Sequence, residues 1–297
     1  MSVLATILAS IPSPSRGQID IGPVSLHAYG LTLLVAIAAC TALTGVRWRR
    51  RGGDWDLVLR VAVWGVAAGI VGARLYHVAT SWDEVPDEWW GVFAVWEGGL
   101  GVWGGIGLGT IVGAIIVRRA GESVVRFMDA VAPGLLLAQA IGRWGNWWNQ
   151  ELFGGPTDRP WGLEIDPDRR PPEYIDVETF HPVFLYESLY ALAGVAILLL
   201  VDRAFRIRPP ALFALYVAFY SVGRFFLEFL RVDAAHEWGP LRLNGWVALL
   251  FFLGGLAAFV WLQFVRPRRT RRREARASEP PKTPTMAVPR GRVRGSR

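Results

Sequence analysis

The chain has 297 residues, 52% of them hydrophobic and 19% charged, with a mean hydropathy of +0.29. Its apolar residues gather into runs of about 20, long enough to cross ~30 Å of hydrocarbon, which excludes an ordinary soluble domain. The net charge of +7 and pI near 10.1 come from arginines in the loops between those runs and in the tail. Anionic lipid is therefore the expected partner, and nucleic acid is not. The single cysteine, Cys40, lies in an apolar run and permits no intrachain disulfide.

Residues 1–26 open with a short apolar piece, residues 3–11, that lacks a basic leader and is too short to span; an interfacial segment is expected. A first span is predicted over residues 27–46, ending in Arg47 and Arg49 to Arg51, and a second over 57–80. An acidic loop follows, with Asp83, Glu84, Asp87, Glu88 and Glu97. The third span, 99–117, is rich in glycine, as close helix packing requires, and ends in Arg118 and Arg119. The fourth, 127–141, is short and carries Asp129 and Pro133. Residues 150–181 are rich in Pro, Asp, Arg and Glu and predict a small irregular segment outside the membrane. Spans over 182–201, 211–230 and 244–265 complete the set, and the Pro- and Arg-rich tail 266–297 is expected to be disordered.

The loops after the first, third, fifth and seventh spans are dense in arginine, whereas those after the second and sixth are not. The positive-inside rule then places the N-terminus outside and the C-terminus in the cytoplasm. The expected fold is an all-α integral membrane protein with seven transmembrane helices over residues 27–265 and a small extracytoplasmic segment between spans four and five.

The stretch QAIGRWGNWWNQELFGG, residues 139–155, concentrates the chemistry. It packs Arg143, Asn146, Asn149 and Glu151 among glycines and tryptophans where an apolar run ends. Charge in hydrocarbon costs several kcal/mol, so a functional reading competes with an interfacial Trp belt and a snorkelling arginine. In the sixth span Tyr220, Arg224, Glu228 and Arg231 are spaced to share one helix face, and Arg224 with Glu228 also suits a simple ion pair. Guanidinium forks match phosphate oxygens, so Arg143 and Arg224 together suit one lipid phosphodiester. His181, opening the fifth span with Tyr186 and Glu187 one turn on, suits either a proton carrier or a supporting hydrogen-bond partner. No zinc-type spacing, phosphate loop or nucleophile elbow is present in the sequence. On residues alone a lipid-modifying enzyme, an organic-anion transporter and a non-catalytic lipid-binding scaffold all remain open. A transporter would show paired broken helices and an internal repeat, and a scaffold would tolerate loss of Asn146 and Glu151.

The run Gly142-Arg143-x-Gly145-Asn146-Trp147-x-Asn149-x-Glu151-x-x-Gly154 resembles the signature of the prolipoprotein diacylglyceryl transferases, with Trp147 where Phe is usual. IGPVSLHAYG at 21–30, Trp96-Glu97-Gly98-Gly99, HPVFLYE at 181–187 and the run from 220 to 231 add to the resemblance, which covers residues 20–265. It implies a seven-span enzyme of the bacterial plasma membrane. Such an enzyme moves the diacylglyceryl group of phosphatidylglycerol onto the lipobox cysteine of preprolipoproteins, releasing glycerol 1-phosphate, with no metal or cofactor. It further implies Arg143 and Arg224 as the essential pair, Tyr29 and His181 as further catalytic candidates, and Asn146, Asn149, Glu151, Gly154, Tyr220, Glu228 and Arg231 around the lipid. The family often has His-Gly-Gly in the third span; here the position is Trp103, so a histidine base there is not expected.

Overall fold

The computed structural model describes residues 10–21, 24–232 and 237–267. The chain divides into two units, Met1–Phe264 and Val265–Arg297. Of the second, only residues 265–267 are described, so the expected disordered tail lies almost wholly outside the described residues, as does most of the expected interfacial piece at residues 3–11.

Among the described residues, seven helices are long and apolar enough to cross a membrane, and this is a multi-pass membrane protein. They are α1 (Ala28–Arg50), α2 (Trp55–Thr80), α3 (Val102–Arg119), α4 (Val124–Asn149), α5 (Val183–Ala204), α6 (Ala211–Glu228) and α7 (Leu243–Val260), the last continued by a π turn, Trp261–Val265. Large apolar side chains such as Leu34, Val63, Leu200 and Leu250 stand exposed on their outer faces, a surface that only lipid can cover. Arginines end α1 and α3, where cations also suit the helix dipole.

Close backbone approach sets the pairing. In α2 and α3, a Cβ added at Gly72 would lie 2.4 Å from the Gly104 carbonyl oxygen, and one at Gly104 2.1 Å from that of Gly72. The third-span glycines therefore serve packing, as small residues do where no hydrophobic force joins helices. Between α6 and α7, Gly255 takes the same part against Ala214 and Ala218. Helix α4 is the central element, packing against α1, α5 and α6.

Beside the expected helices run three short antiparallel ladders: β1 (Gln18–Ile21) with β2 (Val24–His27), β3 (Leu163–Glu164) with β4 (Thr179–Phe180), and β5 (Glu237–Trp238) with β6 (Leu241–Arg242). All lie outside the helices, where strand pairing satisfies backbone groups that no helix can. Residues 150–181 are ordered around an apolar cluster of Phe153, Leu163, Ile165, Phe180 and Phe184. The preceding segment is tied to it by the Ile11–Leu163 bridge and by Trp147 Nε1 donating to the Pro12 carbonyl at 3.2 Å.

Two expectations about element ends are corrected. The fourth span does not stop near residue 141: α4 runs on to Asn149, so Arg143, Asn146 and Asn149 occupy its last two turns. Gly142 and Gly145 are tolerated inside a helix, and termination waits for Gln150, left-handed at φ 51°, whose N–H closes on the last turn. The sixth span, in contrast, ends early. Helix α6 stops at Glu228, so Arg231 is not on its face; Arg231 instead forms an antiparallel bridge with Gly154.

Candidate active site

At one end of the bundle, the side chains of α4, α5 and α6 converge. Arg143 comes from the penultimate turn of α4, Glu187 from the second turn of α5, and Arg224 and Glu228 from the last turns of α6. Arg143 Nε donates to Glu187 Oε2 at 2.8 Å, and Arg224 Nη1 reaches Glu187 Oε1 at 3.4 Å. Arg224 Nη2 lies 2.7 Å from Glu228 Oε2, four residues on. A third arginine, Arg242 at the start of α7, is 3.8 Å from Glu228 Oε1, and Asn244 donates to the same oxygen at 3.4 Å. Positive and negative groups thus alternate from α4 to α7. Glu187 and Glu228 are both buried, where unpaired charge would cost several kcal/mol. The space left between Arg143, Glu187, Tyr190, Tyr220 and Arg224 is about 20 Å³, room for about one water.

The second half of the motif is built on the same helix end. Glu151 Oε1 accepts from Asn146 Nδ2 at 2.8 Å and from Asn149 Nδ2 at 3.4 Å. Tyr29, in the first turn of α1, lays its ring over Gly145, where an added Cβ would be 2.6 Å from Cδ2, and sits within electrostatic reach of both Glu151 and Arg143. Glycine at 145 is thus what admits the tyrosine. Beyond Glu151, a basin of about 680 Å³ opens between residues 14–17, 148–153 and 166–171.

Gly154 is held on both sides. Its N–H donates to the His181 carbonyl, the His181 N–H donates to Gly155, and the Gly155 N–H donates to Leu230, each at 2.9 Å. A Cβ at Gly154 would lie 2.7 Å from His181 Cβ and 2.9 Å from the Leu230 oxygen, so only glycine fits between the two strands of chain. The His181 ring turns toward Tyr186, whose hydroxyl is 3.2 Å from Nδ1 and also accepts from Trp161 Nε1.

The structure therefore brings Arg143, Arg224, Tyr220 and Glu228 together. Tyr29, Asn146, Asn149 and Glu151 form an adjoining group, and His181, Gly154 and Arg231 meet as a backbone crossing beside it. Sequence reasoning missed Glu187, which joins the two arginines. The available signal was a carboxylate in a largely apolar span, the last residue of the HPVFLYE run. Trp103 is half exposed and stacks on Phe251 of α7, ring centroids 6.2 Å apart.

A family model described as prolipoprotein diacylglyceryl transferase matches residues 16–261. The chain belongs to this family. It is 48% identical over 260 residues to phosphatidylglycerol–prolipoprotein diacylglyceryl transferase 2 of Streptomyces coelicolor, covering 85% of this chain and 81% of that protein. Its identity to the Frankia alni phosphatidylglycerol–prolipoprotein diacylglyceryl transferase is 47%, covering 86% and 68% of the two chains. With the Cutibacterium acnes protein of the same name it is 46%, covering 86% and 87%. The matched region of this transferase family takes in all seven helices, stopping within the π turn that follows the last, and with them every residue of the arginine–carboxylate chain.

Proposed function

We propose that the protein transfers the diacylglyceryl group of phosphatidylglycerol to the lipobox cysteine of preprolipoproteins, in the plasma membrane of a bacterium. The observation that carries this reading is the pair of guanidiniums, Arg143 and Arg224, delivered by two helices to the buried Glu187 carboxylate at the end of the bundle that also holds Glu151. The cysteine sulfur, as thiolate, attacks the sn-3 carbon of the lipid glycerol. A carbon–sulfur bond forms, the carbon–oxygen bond to phosphorus breaks with its electron pair left on the phosphate oxygen, and glycerol 1-phosphate leaves. The thiol proton is lost in reaching the thiolate, with Tyr29 and His181 as its proposed carriers.

Charge grows on the phosphate as the bond breaks. Two fixed guanidiniums stabilise that change without moving a proton, a contribution of about 3 kcal/mol per donor in comparable sites. Asn146, Asn149, Glu151, Gly154, Tyr220, Glu228 and Arg231 are the proposed lipid-binding residues, the amides and Glu151 suiting the headgroup hydroxyls. In this reading the N-terminus and residues 150–181 face the outside, because the ends of α1, α3 and α5 that carry Arg47, Arg118 and Arg203 lie on the cytoplasmic side. Residues 27–265 form the catalytic membrane domain and 266–297 a cytoplasmic tail.

The test is purified protein in detergent with phosphatidylglycerol and a synthetic lipobox peptide, read by peptide mass and glycerol phosphate release. A gain of one diacylglyceryl group with wild type, and none with Arg143→Ala, is the expected result. A folded wild type that modifies nothing across several anionic lipids would overturn the reading.

A further inference from the structure

We infer that Glu187 is an exchangeable counter-anion: its carboxylate occupies the place of the donor phosphate between Arg143 and Arg224, yields Arg224 when the lipid binds, and on returning displaces the glycerol phosphate product. The inference rests on the reaction proposed above.

Three observations lead to it. Glu187 is the only carboxylate among the described residues that touches both guanidiniums, one oxygen on each. Its two contacts are unequal: 2.8 Å to Arg143 and 3.4 Å to Arg224. Arg224 also has a tighter partner in Glu228 at 2.7 Å, so the Glu187–Arg224 contact is the one that can be given up without stranding a charge. Finally, the space beside the pair is about 20 Å³, which holds roughly one water and no phosphate. An anion that uses both guanidiniums must take the volume of the Glu187 carboxylate, and α5 is free to let a two-methylene side chain swing while its backbone stays in place.

The exchange explains why a site built for an anion contains another. Without a carboxylate, two guanidiniums would face each other in a low-dielectric end of the bundle. They would also hold the product too well, because a phosphate monoester carries about 1.5 to 2 negative charges near neutrality where the donor diester carries one. A tethered competitor balances the empty pair and weakens the hold on product more than it weakens the transition state, which the departing product no longer resembles. Glu187 is in this sense a positioning residue: it acts through the arginines.

The full-length protein in detergent provides the test, with Glu187→Gln, Glu187→Asp and Glu228→Gln beside wild type. Calorimetric titration with glycerol 1-phosphate reads anion affinity without any turnover. Single-turnover and steady-state transfer from phosphatidylglycerol to a lipobox peptide read chemistry and release. Glu187→Gln is expected to bind glycerol 1-phosphate about tenfold more tightly, the equivalent of ~1.4 kcal/mol, and its steady-state rate should fall more than its single-turnover rate. Glu187→Asp, shorter by one methylene, should shift both in the same direction by less, and serves if the amide variant does not fold. Glu228→Gln removes the same charge from Arg224 without bridging to Arg143; equal tightening there would reduce the effect to net charge and overturn the exchange. Weaker or unchanged product binding in Glu187→Gln, or equal loss in both rates, would likewise overturn it. A wild type without transfer activity would count against the reaction, while the titrations would still decide whether Glu187 competes with phosphate.

Discussion

Two sets of arginines in this bundle are used in opposite ways. At the end proposed to face the cytoplasm, Arg47 donates to the backbone carbonyls of Ala130 and Asp129 at 3.0 and 2.9 Å and pairs with Asp202 at 3.2 Å. The Asp129 carbonyl is open to it because Pro133, inside α4, has no N–H to return to Asp129. The Asp129 side chain in turn accepts from the Phe213 N–H, capping the first turn of α6 from a neighbouring helix. Arg74 follows the same rule at the other end of α2, donating to the carbonyls of Gly91, Val92, Gly98 and Gly99 and fixing the acidic loop. Arg143 and Arg224 are different. Among the described residues no backbone carbonyl accepts from either, and their partners are carboxylates on other turns or helices. Backbone acceptors cannot leave; side-chain acceptors can. The difference separates arginines that hold the fold together from arginines that can exchange partners with an anion.

Substitutions can break that comparison. The largest expected effect on activity is that of Arg143→Ala or Arg224→Ala: about a hundredfold to a thousandfold loss of transfer each, from one donor removed at the developing charge, with thermal unfolding close to wild type. The measurement is initial rate by peptide mass beside a thermal scan. If either variant instead unfolds early and keeps its rate per folded molecule, the two sets of arginines do not differ as described.

Arg47→Ala should do the reverse. It removes the donor to the Ala130 and Asp129 carbonyls and leaves Asp202 with Arg51 alone, costing about 1–3 kcal/mol of stability, while activity per folded molecule is retained; midpoint temperature in detergent and normalised rate together check this. Gly154→Ala lies between these two classes. Its Cβ must displace His181 or the Leu230 carbonyl, costing about 1–3 kcal/mol, and because the same crossing carries Arg231, stability and rate should fall together. The smallest effect belongs to Trp103→His. The ring lost is half exposed and stacks on Phe251 of α7, a contact of about 0.5–1.5 kcal/mol, so transfer should change by a few-fold at most. A loss comparable to that of Arg143→Ala would bring the third span into the site.

Membrane class and the seven apolar spans were legible in the sequence, since hydrocarbon thickness dictates run length and the helix is the structure that satisfies its own backbone there. So was the family, because its motif holds side chains of fixed type at fixed spacing. Close packing of the third-span glycines could also be read, small residues at helical intervals having few other uses in lipid. Tertiary structure alone decided the rest. That α4 runs through Gly142 and Gly145 to Asn149 depends on Tyr29 and α5 packing against it, which no local propensity contains. That Arg231 leaves the α6 face depends on its pairing with Gly154, a residue 77 positions earlier. Glu187 could be seen as a charge in an apolar run, but not as the link between Arg143 and Arg224. Periodicity orders the residues of one helix around its own axis; which faces meet, and so which charges neutralise each other, is settled only by how α4, α5 and α6 pack together.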